Sequence, residues 1–191
     1  LKNKNIDSKY LPIIEKHIGS INDLRIERVA LETRKILLSP FPLFSLKLMN
    51  KVGLYEKVLG MFSEVSIQKI ERLESRYNLT PCLVRRLLAL EIKPLITLML
   101  KKEKKYFKQL NELMNFDHSL DYLGYKEGEK ASLDFLIIKA IKNRSNIETK
   151  DIEKIKKASK KVFPIKFSDV HSPTKSPSIT KEKMSLMESF W

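Results

Sequence analysis

Apolar residues recur at helical spacing along most of this 191-residue chain, and no stretch of useful length alternates as a half-buried strand requires. Hairpin dipeptides such as Asn-Gly are missing as well. Residues 24–40, L-R-I-E-R-V-A-L-E-T-R-K-I-L-L-S-P, show the pattern best: Val29, Ile36 and the pair Leu37 and Leu38 put apolar mass on one side of a helix. Arg28 and Glu32 lie one turn apart on the other side, a pairing worth about 0.2–0.5 kcal/mol. Ser39-Pro40 stops the helix, because the residue before a proline is driven out of the α region. Residues 41–54, F-P-L-F-S-L-K-L-M-N-K-V-G-L, then form a second short apolar helix ending near Gly53. The expected fold is all-α, an irregular multi-helix array with a small helical tail.

The rest of the chain is punctuated in the same way. A helix over residues 7–18 starts at Asp7 or Ser8 and is closed by Gly19. Ser66 caps a helix running to about Tyr77, and Thr80-Pro81 opens the next with a hydroxyl and a proline at the first helical position. That helix carries Leu83, Leu87, Leu88 and Leu90, and Lys93-Pro94 interrupts it. Its Arg85 and Arg86 read as a solvated face or as phosphate contacts. Residues 127–143 are broadly apolar and predict a buried helix; Thr149 caps the one after, with Ile152, Ile155 and Val162 as its buried stripe. From Phe163 the chain turns into a proline-interrupted linker and an amphipathic end, in which Trp191 packs on the body or offers a base a stacking surface.

Charge narrows the function. The net charge of +14 on 22.3 kDa exceeds the magnitude of about 2–8 usual for a small soluble domain, so a polyanion is the natural partner. Two stretches carry much of it. Residues 101–108, K-K-E-K-K-Y-F-K, have a balance of +4, with Lys101, Lys104, Lys105 and Lys108 on one helical face. Residues 150–161 have another +4, with Lys150, Lys154, Lys157 and Lys161 along one face. Either stripe is a solvated face or a surface for a nucleic-acid backbone. The single cysteine, Cys82, leaves no internal disulfide and fits a reducing cytosol. No apolar run approaches the ~18 residues of a membrane span, and no signal peptide is visible. His17, His118 and His171 stand far apart without carboxylates at ligand spacing, and Asp117-His118 reverses the His-Asp order of metal-dependent phosphohydrolases.

The composite E-R-V-x-x-E-x-x-K-I-L-x-S-P followed by L-x-L-M-x-x-x-G-L resembles the neck of the bacterial class II tRNA nucleotidyltransferases, the CCA-adding enzymes and related bacterial poly(A) polymerases. Its matching residues include Glu27, Arg28, Glu32 and Lys35, whose role is structural, and then Ser39, Pro40, Leu46, Leu48, Met49, Gly53 and Leu54. Relatives have Ser before this helix where Arg25 stands, which passes the cap to Asn22 or Asp23. The ending is similar too: the family's F-P-[IV]-x-G-x-D-[LV] and apolar Trp-containing close are matched by Phe163, Pro164, Ile165, Asp169, Val170, Phe190 and Trp191, with Phe167 replacing the glycine.

The resemblance implies a neck over residues 1–60, a helical body over 61–162 and a tail over 163–191. It also implies that body and tail dock RNA, specifically tRNA, for 3′-end CCA or poly(A) addition by a catalytic head. That head's Asp-x-Asp pair and the neck's E-D-x-x-R string occur nowhere in the chain, and Gly19-Ser20, reminiscent of the head's Gly-Ser turn, is followed by no such pair. Magnesium and the CTP or ATP therefore belong to a head outside these residues, and no polymerase activity is expected of the chain alone. Leu1 is not an initiator methionine, so the chain reads as the C-terminal part of something longer or as a gene fragment. The expected partners are RNA and a separately encoded head, in the cytoplasm. Candidate RNA contacts are Arg85, Arg86 and the eight lysines of the two stripes. The alternative is a helical protein-interaction scaffold, or a fragment without function.

Overall fold

The computed structural model describes residues 10–92, 99–115 and 119–162, all of which are helical or irregular; no strand occurs among them. The order is α1 (Leu11–His17), a 3-10 turn (Ile18–Asp23), α2 (Ile26–Leu37), α3 (Leu43–Lys51), α4 (Leu54–Leu59), α5 (Glu64–Arg76), α6 (Leu83–Ala89), α7 (Lys101–Leu113), α8 (Leu120–Lys142) and α9 (Thr149–Ser159). None of these helices is long and apolar enough to cross a membrane. The described residues fall into two compact units. One lies within Leu1–Asp117 and Leu133–Ile147, the other within His118–Ser132 and Glu148–Trp191.

In the first unit α3 packs on α4 and α5, and α6 packs on α2, α5 and α7. The core is aliphatic around Leu37, Leu46, Ile67, Ile70, Leu110 and Ile137, each completely buried. Tyr55 joins it edge-on to Phe62, ring centroids 5.0 Å apart, and burial pushes its hydroxyl up to about 12. Ser63 caps α5 by accepting from the Ser66 backbone N–H at 3.3 Å, so the cap lies three residues before the serine expected to supply it.

Other boundaries also differ from the expectations. Gly19 does not close a helix; the chain runs through it in a 3-10 turn without entering the left-handed region. Neither Asn22 nor Asp23 caps α2, because both lie inside that turn and Arg25 takes the cap position with no side-chain bond. Thr80-Pro81 precedes the start of α6, whose cap position falls to Cys82. Along α2 the buried residues are Ala30, Thr33 and Leu37, while Val29, Ile36 and Leu38 are half-buried. Glu32 pairs with Lys35 at 2.8 Å rather than with Arg28. The expected start at Asp7 or Ser8, the break at Lys93-Pro94, His118, His171 and the whole tail lie outside the described residues.

The second unit holds the first part of α8 and all of α9. Gly128 interrupts α8 at φ 78 and ψ 171, a conformation essentially reserved for glycine, and Ser132 donates its hydroxyl to the Gly128 carbonyl at 2.8 Å. Gly124 sits against α9: a Cβ there would meet the Ile155 carbonyl oxygen at 2.7 Å and the Ala158 Cβ at 2.9 Å. In α9 the buried residues are Ile152, Ile155 and Ala158; Val162, expected with them, is 86% exposed because the helix has already ended. Glu148, one residue before the expected Thr149, takes the cap position.

Candidate nucleic-acid interface

The two arginines of α6 define what the candidate surface is not. Arg85 and Arg86 are 2% and 0% exposed, so neither stands on a solvated face nor reaches a phosphate. Arg86 Nε donates to both Glu74 carboxylate oxygens at 3.2 and 3.1 Å, and its Nη2 donates to Oε2 as well. Its Nη1 donates to the carbonyls of Leu37 and Ser39, both at 2.6 Å. Arg85 donates to Glu74 Oε1 through Nε and Nη2 at 3.0 and 2.8 Å, to the Thr80 carbonyl at 2.6 Å, and to Asp134 through Nη1. Burial alone lowers the Arg85 pKa, but Asp134 and Glu74 outweigh it and hold the guanidinium above its ordinary value. The Tyr106 hydroxyl donates to the second Asp134 oxygen at 2.7 Å; burial and that carboxylate push it upward. Two arginines thus face two buried carboxylates. Sequence reading missed the pairing because Glu74 and Asp134 are 11 and 49 residues from Arg85.

The lysines are all exposed, but Lys161 lies beyond the end of α9 and so off the helical face it was expected to share. Lys101, Lys104, Lys105 and Lys108 are exposed on α7, over a buried side formed by Leu110 and Leu113. The first turn of α7 is anchored to α2. Arg34 Nη1 and Nη2 donate to Glu103 Oε2 and Oε1 at 2.8 and 2.6 Å, and the same carboxylate accepts from the Leu100 backbone N–H at 2.7 Å. The hydrogen bond from Arg34 holds the Glu103 carboxyl below its ordinary range and raises the guanidinium in turn. In the second unit Lys150, Lys154, Lys157 and Lys161 are all exposed, with Lys150 paired to Glu148 at 2.7 Å. Glu27, Arg28, Glu32 and Lys35 lie exposed on α2.

The stretch from α1 to the start of α5 also exposes an unusual amount of apolar surface. Ile13, Leu24, Ile26, Leu31, Phe41, Phe44, Met61 and Val65 are each at least 47% exposed. A mainly apolar cleft of about 160 Å³ opens among Ile21, Leu24, Val29, Ile36, Leu54 and Val58, with Arg28, Glu32 and Thr33 also in its lining. Residues 41–54 read as an apolar helix, yet Phe41 and Phe44 are 63% and 49% exposed.

Residues 5–65 match the family model described as the probable RNA and SrmB-binding site of polymerase A. The match supports an RNA-binding region of poly(A) polymerase type over that span, with RNA as a partner. Comparison with curated proteins and with solved structures finds no match. The RNA-binding region takes in α1 to α4, the cleft, both exposed phenylalanines and Arg34, through which the α7 lysine stripe is tied to it. A second groove of about 760 Å³, partly beyond the region, lies where α4, α6 and α8 end; there Lys142 approaches Glu91 at 3.7 Å and leaves a mixed charge. Among the described residues no three His, Cys, Asp or Glu side chains gather as they would around a metal ion.

Proposed function

We propose that this chain is the RNA-docking portion of a tRNA nucleotidyltransferase or poly(A) polymerase, presenting an RNA 3′ end to a catalytic head outside residues 1–191. The observation that carries the reading is the match of residues 5–65 to an RNA-binding region of polymerase A. The exposed lysines of α7, fixed to that region through Arg34 and Glu103, supply charge of the right sign. Such contacts hold the phosphate backbone without reading sequence, and a structured RNA such as tRNA would be chosen by shape. Magnesium and the incoming CTP or ATP belong to the head, and the isolated chain adds no nucleotide.

Fluorescence anisotropy with labelled tRNA across a salt series tests this. Binding that weakens linearly on a log–log salt plot is expected; affinity no greater than that of a neutral helical protein overturns it. Mixing the chain with a folded head and labelled CTP or ATP tests the second half, with incorporation expected at the RNA 3′ end only when both are present. A second reading is favoured by the apolar cleft bordered by Leu24, Val29 and Ile36, which suits a protein partner. Recovery of the same protein partners after nuclease treatment, with no RNA bound before it, would favour that scaffold role.

A further inference from the structure

We propose that Phe41 and Phe44, together with Lys47 and Lys51, form a stacking platform for single-stranded RNA. The inference rests on the reading that residues 5–65 bind RNA and assigns the contact within them. Phe44, Lys47 and Lys51 stand at i, i+3 and i+7 on α3, opposite the buried Leu46 and Met49, and all three are exposed. Phe41 lies just before the same helix, more exposed still. An aromatic ring left in water on a basic helix face offers what unpaired nucleotides need, a flat apolar surface with cations nearby for the phosphates. Lys47 shares its charge with Glu64 at 2.8 Å, so Lys51 is the stronger cation of the two.

The platform is held from beneath. Pro40 and Pro42 fix the backbone on both sides of Phe41, and the Phe41 backbone N–H donates to Ser39 Oγ at 3.3 Å. The Leu43 N–H donates to Glu71 Oε1 at 2.7 Å, and Arg86 grips the carbonyls of Leu37 and Ser39. Two exposed rings on a stretch so firmly tied lose little freedom when a base stacks on them. The lysines favour RNA over a protein partner, since exposed cations beside the rings complement a phosphate backbone.

The test measures binding of the full chain to a labelled oligo(A) 12-mer and to a blunt RNA duplex of equal length. Phe41→Ala with Phe44→Ala should weaken the single strand by about 10- to 100-fold and the duplex by no more than about twofold, because duplex bases hide their faces. Phe44→Trp should keep affinity, and its fluorescence, in excess of that from Trp191, should be quenched as the single strand binds. The thermal unfolding midpoint checks that the exposed substitutions leave the fold intact. Unchanged single-strand affinity with an unquenched tryptophan overturns the platform, leaves the RNA reading standing, and marks the pair as a protein contact. A wild-type chain that binds neither RNA overturns both.

Discussion

Arg86 has no exposed surface, and what it touches determines what its loss would do. Its guanidinium neutralises Glu74 and satisfies two backbone carbonyls at the end of α2, so truncation leaves a buried carboxylate short of a partner and two carbonyls without donors. Arg86→Gln should cost about 3–5 kcal/mol in urea unfolding. Had the side chain been a phosphate contact, the same change would lower RNA affinity at unaltered stability. Glu103 gives a pH signature. Its folded pKa lies below the ordinary 4.5 because Arg34 bonds the charged form, so the native state binds fewer protons than the unfolded chain in that range. The stabilisation is complete above the unfolded value and is lost as pH falls through the lower folded one. Glu103→Gln should therefore lower stability by about 1–2 kcal/mol near neutral pH, with the two curves converging in acid. Urea midpoints at pH 3 to 7 would show it, and parallel curves throughout would refute it.

At the scale of elements, the decisive contacts are where helices end and where they touch. Three described helices close with a backbone N–H reaching five residues back. Leu79 bonds Glu74, Ile92 bonds Leu87 and Ser145 bonds Ala140, at 2.8, 3.0 and 3.0 Å. Each has a non-glycine residue at positive φ just before: Asn78 at 51°, Glu91 at 54° and Arg144 at 52°. Glycine is the ordinary signal for such a close and is absent at all three, yet the sequence pattern still put the ends of α5 and α8 near Tyr77 and residue 143, where they fall. Glu91→Gly should stabilise the first unit by about 0.5–1 kcal/mol, because glycine adopts that conformation without strain. Gly124 illustrates the reverse case, since it reads as an ordinary weak spot in a helix until α9 is seen against it. Gly124→Ala should destabilise the second unit by about 1–3 kcal/mol, the added methyl pressing on a carbonyl that cannot move aside. Thermal unfolding of the variant decides; a neutral or raised midpoint would mean that α8 and α9 are less tightly apposed.

For the whole molecule the dominant quantity is the net charge of +14 and its distribution. Exposed lysines on α7 each displace counterions when they meet a phosphate, so affinity for a single strand should fall with a log–log salt slope of about −0.7 per contact. Replacing Lys101, Lys104, Lys105 and Lys108 by Gln should flatten that slope by up to about 3 and leave stability nearly unchanged, since all four are exposed. An unchanged slope would place the phosphate contacts elsewhere on the molecule. The same stripe substituted on α9 makes an independent comparison, because it belongs to the other unit.

The all-α class, the exposed lysine stripe of α7 and the exposed Lys150, Lys154 and Lys157 of α9 followed from the sequence itself, while Lys161 falls beyond that helix. Periodicity is a local property, and a lysine repeated every three or four residues beside an aliphatic stripe has only one side to face. The family resemblance was legible in a motif of the α2 and α3 stretch, but it assigned RNA docking to the body and tail, whereas the RNA-binding match falls on residues 5–65. Only the tertiary structure decided the roles of Arg85, Arg86, Phe41 and Phe44. Whether a cation meets solvent or a carboxylate depends on which distant residue folding places beside it, here Glu74 and Asp134. Whether a phenylalanine is core or surface depends likewise on what covers it. Neither is a function of near neighbours in the chain, so residue spacing, which reads only those neighbours, could not fix them.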